Sequence, residues 1–388
     1  MAGGGSLGYR ALLWFLIFLA AHATAPAATR APSVSPDELL AGTALALGPA
    51  PPAIVSNEEV MALNDEMREF LKNNVGKRAG LSVKVKQLAD AIFSKEKFGL
   101  EYGETTRTAA ETFAAKRGNC LSFTFMFVVM ARGVGLDARF QEVEIPPEWT
   151  FAKETYILNR HINIYVDQGW LPPKVVDFNI ADFRAEFDTL IISDQRALAH
   201  FFNNLGAEFM QHGDVPGAFY AIRRAIVEND RSFAPAWDSL GTLYGRMGLF
   251  YHAEASFLQA LENDRSDLTA MTNLTALYDR LGEPKLASRY RKKVNSYRMR
   301  NPYYRFHLAQ AAYDLEDYDL AVDHLKYALQ RRRNDHRFCA LLGLVYLKMG
   351  DEKKSRHWMA RADKYADTDD MESTYSSRID RLISLSRH

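Results

Sequence analysis

The sequence predicts two folded parts: an α+β domain, in which a central helix packs on an antiparallel sheet, and then an all-α solenoid of helical repeats. Three observations lead to this prediction. A nearly unbroken apolar run follows Gly118-Asn119, segments of alternating polar and apolar residues follow that run, and the second half of the chain repeats a pattern of leucine and a small residue about every 34 residues.

Length and charge limit the class of protein. The chain has 388 residues, which is enough for one domain and a repeat array, and its 48 Lys and Arg residues balance its 48 Asp and Glu residues. Because nucleic-acid binding calls for a basic surface, we expect no nucleic-acid partner. Only two cysteines are present, Cys120 and Cys339, which excludes a small scaffold held together by disulfides. We expect Cys339 to be a core residue of the last repeat.

The first residues are typical of a secretory signal. Arg10 precedes an apolar run over 11–21 that is short for a membrane span, and Ala21-His22-Ala23 fits the small-x-small pattern of a cleavage site. We therefore predict a signal peptide at residues 1–23 and an exported protein, either periplasmic or secreted. The alternative is an uncleaved segment that anchors the protein, and only then do we expect contact with a membrane. Residues 24–55 are rich in Ala and Pro and are predicted to be a flexible linker.

Three helices are predicted before the apolar run. Ser56-Asn-Glu-Glu59 has the pattern of a capping box and opens a helix whose apolar stripe reaches Leu71. A second helix begins near Ser82, and Thr108-Ala-Ala-Glu111 repeats the capping-box pattern before the third. The α+β domain as a whole is predicted to cover residues 56–195.

The apolar run from Cys120 to Ala131 has two possible interpretations. Its content of Phe, Val and Thr suits a buried strand, but the run is long for a strand. Gly118-Asn119 before it and Gly133 and Gly135 after it are signals for the start and the end of a helix. A helix that is apolar on every side is surrounded by protein, so we predict a buried central helix.

Three strands are predicted after this helix. Residues 138–145 are rich in Phe and Val, residues 161–166 alternate between polar and apolar side chains, and residues 174–178 return after a turn at 167–169. Two prolines stand just before the third of these segments. Because proline cannot donate to a sheet, the returning strand is predicted to be bulged or to start late.

The predicted hairpin brings two candidate catalytic side chains together. His161, Asn163 and Tyr165 share the polar face of their strand. If the chain reverses near Gly169, His161 lies opposite Asp177, because the two residues are equally distant from the turn. A carboxylate would then stand beside an imidazole.

Five in-phase repeats make up the second half. In each unit a leucine is followed by a small residue. In four of the five units, a glycine stands seven positions after that small residue. The leucines are Leu205, Leu240, Leu274, Leu308 and Leu342, and the glycines are Gly213, Gly248, Gly282 and Gly350, with Glu316 in the fourth unit. This pattern resembles the tetratricopeptide repeat, a helix–turn–helix unit. The resemblance covers residues 199–366, and a closing helix or tail is predicted at 367–388.

Cys120 has two possible roles. An isolated cysteine often serves as a small buried hydrophobic residue. A cysteine at a helix N-terminus is instead activated, because unpaired backbone N–H groups and the helix dipole favour the thiolate, which is the nucleophilic form. A cysteine nucleophile needs a base, and the base needs an orienting group; His161 and Asp177 are the candidates. The residues by themselves leave both roles open.

Four motifs carry a resemblance to a known family: Arg117-Gly-Asn-Cys-Leu-Ser122, Ala131-Arg-Gly-Val-Gly135, His161-Ile-Asn163 and Val176-Asp177. Together they resemble the transglutaminase-like (papain-like) superfamily, and within it the bacterial SirB1-type group, in which such a domain is joined to tetratricopeptide repeats. The resemblance implies acyl transfer. Cys120 would attack an amide carbonyl and form a thioester, His161 would transfer the proton, and Asp177 would orient the imidazole. It implies no cofactor and no metal.

The resemblance leaves the acyl acceptor open. Water as the acceptor gives a protease or an amidase, and an amine gives a transglutaminase. The repeats are expected to recruit a protein or a peptide in their groove. We favour the enzyme; the alternative is a catalytically inactive domain in a scaffold for protein–protein interaction, because a fold can persist after its chemistry is lost. Trp149 lies in a segment that resembles a loop near the active cleft of this family. Its side chain is expected either to line that cleft or to cap the core.

Overall fold

The computed structural model of the protein describes residues 34–47, 54–94, 97–144, 160–178 and 189–366. The predicted signal peptide at 1–23, Trp149 and the predicted closing helix at 367–388 lie outside the described residues. None of the helices in the described part of the chain combines the length and the apolar character that a membrane span needs.

Five helices precede the central helix in the described residues. They are α1 (Pro36–Ala41), α2 (Asn57–Val60), α3 (Asp65–Asn74), α4 (Leu81–Phe93) and α5 (Ala109–Ala115). Both predicted capping boxes are present, because the side chains of Ser56 and Thr108 each accept a hydrogen bond from the backbone N–H three residues on. The single helix predicted from Ser56 to Leu71 is wrong. The Asn64 side chain accepts from the Met67 N–H and starts a new helix after a break.

Residues 34–47 correct the prediction of a flexible linker in that range. They contain α1, and their main chain is bonded to the helical repeats. The Leu39 carbonyl accepts from the Tyr244 hydroxyl at 2.6 Å, and the Leu40 carbonyl accepts from the Arg223 Nε at 3.0 Å. Both leucines are buried. A few leucines in an Ala- and Pro-rich stretch are therefore enough to fix it, because the repeats supply the apolar surface that covers them.

The apolar run forms the buried central helix that the sequence predicts. This helix, α6, spans Cys120–Gly133, and its side chains from Ser122 to Ala131 are all buried. Asn119 is its N-cap, and Gly135, at a φ of 80°, follows its end. A short parallel strand pair leads into it: β1 (Glu101–Tyr102) and β2 (Arg117–Gly118).

A four-stranded antiparallel sheet packs on α6. Its strands are β3 (Asp137–Glu144), β4 (Arg160–Gln168), β5 (Leu171–Val176) and β6 (Thr189–Ile192), in the order β5-β4-β3-β6. Phe140 of β3 contacts Phe125 of α6, with ring centroids 4.8 Å apart, and Ile164 of β4 is fully buried on the same face. Strand β6 was not among the predicted strands.

The β4–β5 hairpin differs in register from the prediction. Ile164 lies opposite Val176, and the pairing is irregular between Val166 and Gln168, so the predicted bulge is present. The same register places Asn163, rather than His161, opposite Asp177. The two prolines lie in β5, an edge strand, where a missing N–H donor is tolerated.

The second half of the described chain is a run of five helix pairs, as the sequence predicts. They are α7 (Asp194–Gln211) with α8 (Val215–Arg224), α9 (Ala234–Arg246) with α10 (Phe250–Asn263), α11 (Leu268–Arg280) with α12 (Pro284–Arg300), α13 (Pro302–Asp314) with α14 (Tyr318–Arg331), and α15 (His336–Lys348) with α16 (Glu352–Tyr365). Helix α7 begins before the predicted residue 199, because the Ser193 side chain accepts from the Arg196 N–H and caps it.

Small residues let the helices of a pair approach closely. A Cβ added at Gly206 would lie 2.6 Å from the Ile222 Cγ1, and one at Gly241 would lie 2.5 Å from the Phe257 Cε1. These distances leave no room for a side chain. The buried apolar residues of the first three pairs are continuous with those of the α+β domain, whereas the last two pairs form a separate core.

A mostly buried charge network joins the sheet to α7. The Glu142 carboxylate of β3 accepts from the Arg196 Nε at 2.8 Å and lies 2.7 Å from the His200 Nε2, while the Arg196 Nη1 also bonds to Asp230 at 2.9 Å. Burial by itself would raise the pKa of Glu142. The hydrogen bonds and charges of His200 and Arg196 outweigh that effect and lower this pKa to about 2.

The Glu142→Gln substitution is expected to lower the free energy of unfolding at pH 7 by about 3 kcal/mol, because it removes the carboxylate charge that Arg196 and His200 stabilise. Because the pKa of Glu142 is lower in the folded state than in the unfolded state, the ionised carboxylate stabilises the fold fully at pH values above about 4.5. This contribution is lost as the pH falls toward 2. The difference in unfolding free energy between variant and wild type should therefore shrink over that range. Urea unfolding of both proteins at pH 7 and pH 3 measures it. Glu69→Gln, at an exposed ion pair with Lys72, is the control and should change little. If the two proteins differed by the same unfolding free energy at pH 7 and at pH 3, the lowered pKa of Glu142 would be contradicted.

Glu316 stands where the other repeats have glycine. Its φ is 62°, and the φ values of Gly213, Gly248, Gly282 and Gly350 lie between 72° and 79°. Residues with a Cβ rarely adopt this left-handed conformation. The fourth unit therefore keeps the turn geometry at the expense of backbone strain.

Glu316→Gly is expected to stabilise the repeat array by about 1 kcal/mol, because relief of the strain exceeds the gain in unfolded-state entropy. The urea midpoint of the full chain measures this. Gly350→Glu, at the equivalent turn of the fifth unit, is the matched control and should destabilise by a similar amount. A lower midpoint for Glu316→Gly would show that the glutamate side chain makes a compensating contact.

Candidate active site

Cys120 is the first residue of α6 and is partly exposed. The Asn119 side chain caps the helix by accepting from the Ser122 N–H at 2.9 Å. The N–H groups of the first turn and the helix dipole therefore point toward the position of the cysteine, which favours a negative charge there. Tyr102 lies nearby: burial raises the pKa of its hydroxyl, and the charges of Cys120 and Glu104 raise it further.

His161 and Asp177 form a buried pair. The His161 Nε2 lies 2.7 Å from the Asp177 Oδ1, and the Asn163 Nδ2 donates to the Asp177 Oδ2 at 3.0 Å. Both carboxylate oxygens are thus engaged. Asp177 is opposite Asn163 and diagonal to His161, and all three lie on one face of the hairpin.

The pairing survives the error in the predicted register for a geometric reason. The register is shifted by two residues, and side chains in a strand alternate with a period of two. A shift of two residues therefore keeps Asp177 on the same face of the hairpin as His161. Asp177 becomes the diagonal neighbour of His161 instead of its direct neighbour. A shift of one residue would have separated them.

Thr124 connects the cysteine helix to the histidine strand. Its hydroxyl lies 2.9 Å from the Cys120 carbonyl oxygen and 3.2 Å from the Ile162 carbonyl oxygen. Ile162 directly follows His161, so the first turn of α6 lies against β4 at the histidine. The fold thereby brings the three predicted site residues to one region, with His161 and Asp177 in direct contact.

A groove runs between α4 and the edge strand β5 and reaches Asp177. Its volume is about 440 Å³. It is lined by apolar side chains, by lysines on both walls and by two carboxylates: Val85, Ala89, Phe93, Val175 and Val176, Lys86 and Lys174, and Asp90 and Asp177. The groove is therefore an open path along the hairpin to the carboxylate that holds the imidazole.

The sequence analysis did not identify two residues of the site as functional. Asn163 was placed on the polar face, but its bond to Asp177 depends on the actual register. Asn119 was identified as a helix-start signal, and the four bonds that its side chain makes to neighbouring polar groups were not foreseen.

Within the part of the chain that the structure describes, the second cysteine is a core residue and no metal cluster is present. Cys339 is fully buried, and burial raises the pKa of its thiol to about 11, so it is a core residue as predicted. Both cysteines are free of disulfides. In the described residues there is no group of three or more His, Cys, Asp or Glu side chains that could hold a metal ion.

Gly118→Ala is expected to destabilise the protein by about 1–3 kcal/mol, because the added Cβ would lie 2.8 Å from the Ser122 Cβ and 3.4 Å from the Thr112 Cγ2. Thermal unfolding measures the change. Gly245→Ala is the control: its Cβ meets only the Ala253 Cβ at 3.7 Å, and a gain in helix propensity should leave it neutral or more stable. Equal melting temperatures for wild type and Gly118→Ala would contradict the tight packing of the helix start.

Family models match both parts of the chain. The model of the transglutaminase-like superfamily matches residues 69–174, a range that includes Cys120 and His161 and ends just before Asp177. The tetratricopeptide repeat model matches residues 234–267 and 336–369, which contain the pairs α9–α10 and α15–α16. A search of curated proteins found no match.

Several solved structures show a weak similarity to this chain. A MamA protein is 16% identical over 46% of this chain and 95% of its own, with a TM-score of 0.24. YrrB, described as a TPR protein with an unusual peptide-binding site, is 18% identical over 46% of this chain and 92% of its own, with a TM-score of 0.24. BtubC from P. vanneervenii is 19% identical over 44% of this chain and 81% of its own, with a TM-score of 0.25. These similarities are too weak to say anything about function.

The two family matches agree with the observed architecture. The first falls on the helices and sheet around α6, and the second falls on two of the five helix pairs. The chain therefore carries a transglutaminase-like domain followed by tetratricopeptide repeats.

Proposed function

We propose that the protein is a cysteine acyl-transfer enzyme with Cys120 as nucleophile, His161 as base and Asp177 as orienting group. The single observation that carries this proposal is the 2.7 Å contact between the His161 Nε2 and the buried Asp177 carboxylate, on the strand against which the cysteine's helix turn is held. A buried imidazole with a fixed carboxylate is the arrangement that a thiol nucleophile needs.

The proposed reaction begins with the transfer of the Cys120 thiol proton to His161. Because the Nε2 is bonded to Asp177, the Nδ1 is the nitrogen that accepts this proton. The thiolate adds to an amide carbonyl carbon, the C–N bond breaks, and the imidazolium returns the proton to the leaving amine, which leaves a thioester. Water or a second amine then attacks the thioester and regenerates the thiol.

The start of α6 supports this chemistry in a second way. The tetrahedral intermediate carries a negative oxygen, and backbone N–H groups at a helix N-terminus stabilise such a charge. Cys120 and Leu121 provide the first N–H groups of α6. The capping bond from Asn119 to the Ser122 N–H fixes the direction in which this turn points.

The substrate path and the partner are also part of the proposal. The groove between α4 and β5 is lined largely by apolar side chains and leads to Asp177, which suits the binding of a peptide side chain beside the His161–Asp177 pair. The tetratricopeptide repeats are proposed to recruit the protein or peptide that carries this side chain. Export of the enzyme is proposed from the signal-like residues 1–23.

Selective alkylation tests the nucleophile without knowledge of the substrate. In the Cys339→Ala background, Cys120 is expected to react with iodoacetamide with a pH midpoint well below the value near 8.5 of a free thiol. Asp177→Asn should lower the rate at pH 6 by about a hundredfold, because the imidazolium that stabilises the thiolate loses its partner. Mass spectrometry measures both, and the intact mass reports whether residues 1–23 have been removed.

Asp90→Asn is the control, because Asp90 lines the groove but does not contact His161. It should leave the alkylation profile unchanged. A midpoint near 8.5 for the wild-type thiol would reject the enzyme and favour the alternative, in which the domain is an inactive part of a repeat scaffold.

A further inference from the structure

A hydrogen bond connects the first repeat to the loop beside the cysteine helix. Glu208 lies on α7, and its Oε1 accepts from the Thr106 backbone N–H at 2.7 Å. Thr106 belongs to the loop between β1 and α5. The loop is therefore held by a carboxylate that belongs to the repeats and not to the transglutaminase-like domain.

The same loop is bonded to the start of α6. The Asn119 Nδ2 donates to the Thr106 Oγ1 at 2.9 Å, and the Asn119 Oδ1 accepts from the Ser122 N–H at 2.9 Å. The Ser122 hydroxyl in turn accepts from the Arg107 N–H at 2.9 Å. A continuous chain of hydrogen bonds thus runs from Glu208 through Thr106 to the residue that caps the helix of Cys120.

The residues at the centre of this chain of hydrogen bonds are buried, so the loss of any one of their bonds is costly. Thr106 is 6% exposed, Asn119 is 9% exposed and Ser122 is fully buried, so water has little access to replace a lost partner. A hydrogen bond to a charged acceptor is also stronger than one between neutral groups. Loss of the Glu208 carboxylate therefore leaves a poorly hydrated backbone N–H next to the capping residue.

Helix α7 is a rigid support for the carboxylate. At its start, the Arg132 guanidinium of α6 makes two bonds to the Asp194 carboxylate, at 2.6 and 2.9 Å. Further along, the Phe201 ring packs against the Phe125 ring of α6, with centroids 5.5 Å apart. Glu208 thus lies on a helix that is held against the middle and the last turn of α6, and its distance from the loop is set by packing rather than by a flexible connection.

We infer that Glu208 is a positioning residue for Cys120, and that the first repeat completes the active site of the transglutaminase-like domain. This inference rests on the proposed function. Glu208 contacts no reacting atom in the proposed reaction. The Glu208 carboxylate fixes the loop at Thr106, and this loop fixes the side chain of Asn119. Asn119 in turn determines that α6 begins at Cys120. The repeats then contribute to the reactivity of the thiol as well as to the recruitment of a partner.

Alkylation of Cys120 in the full chain, in the Cys339→Ala background, tests this inference. Glu208→Ala is expected to raise the pH midpoint and to lower the rate at pH 6 by about fivefold, the size of effect that loss of a helix cap produces. Glu208→Gln keeps an oxygen acceptor and should restore part of the rate. Glu254→Ala, which removes the acceptor of the Tyr278 hydroxyl elsewhere in the repeats, is the control and should keep the wild-type profile.

A second variant keeps the test decisive if Glu208→Ala fails to fold. Thr106→Val removes the hydroxyl that holds Asn119 and preserves the backbone N–H to Glu208, so it should slow alkylation to a similar extent. Where both variants fold, the double variant should be no slower than either single variant, because both interrupt one chain. A wild-type profile in a folded Glu208→Ala or Thr106→Val protein would overturn the positioning role. An ordinary thiol in the wild type would instead reject the proposed function itself.

Discussion

The burial of α6 is the constraint on which the rest of this structure depends. A helix that is apolar on every side is stable only when protein surrounds it, and here the sheet, α3 and α5 contact it. The N-terminus of α6 must find partners for its unpaired N–H groups. Asn119, Ser122 and the loop at Thr106 provide that polar surround. Cys120, the first residue of α6, therefore stands on a rigid support and faces aligned backbone dipoles.

Two different elements position the side chains of the site: helix α6 and the β4–β5 hairpin. The charge environment of Cys120 comes from local helix geometry, which a cap and a few glycine contacts establish. The orientation of His161 comes from a strand hairpin, in which one carboxylate is held from two sides by His161 and Asn163. Thr124 joins the two elements through backbone carbonyls, so the connection does not depend on the identity of the neighbouring side chains. The orientation of the imidazole is thereby fixed against the first turn of α6.

The repeats are a structural part of the domain next to them. One continuous core extends from the residues around α6 to Val294 of α12, and the pair Arg132–Asp194 and the Glu142 network cross the boundary. The last two helix pairs have a core of their own. Residues 34–47 add a further contact from the N-terminal side. The first three helix pairs are therefore held at a fixed position relative to the groove at Asp177.

The sequence by itself determined the elements whose signals are local. The repeat period, the capping boxes at Ser56 and Thr108, the buried helix after Asn119 and the polar face of His161 each follow from spacing and residue type, because caps and amphipathic periods are short-range properties. Only the tertiary structure decided the register that pairs Asn163 with Asp177, the folding of residues 34–47 on the repeats and the bond from Glu208 to Thr106. These features depend on surfaces far apart in the chain, and no local pattern records which surfaces will meet.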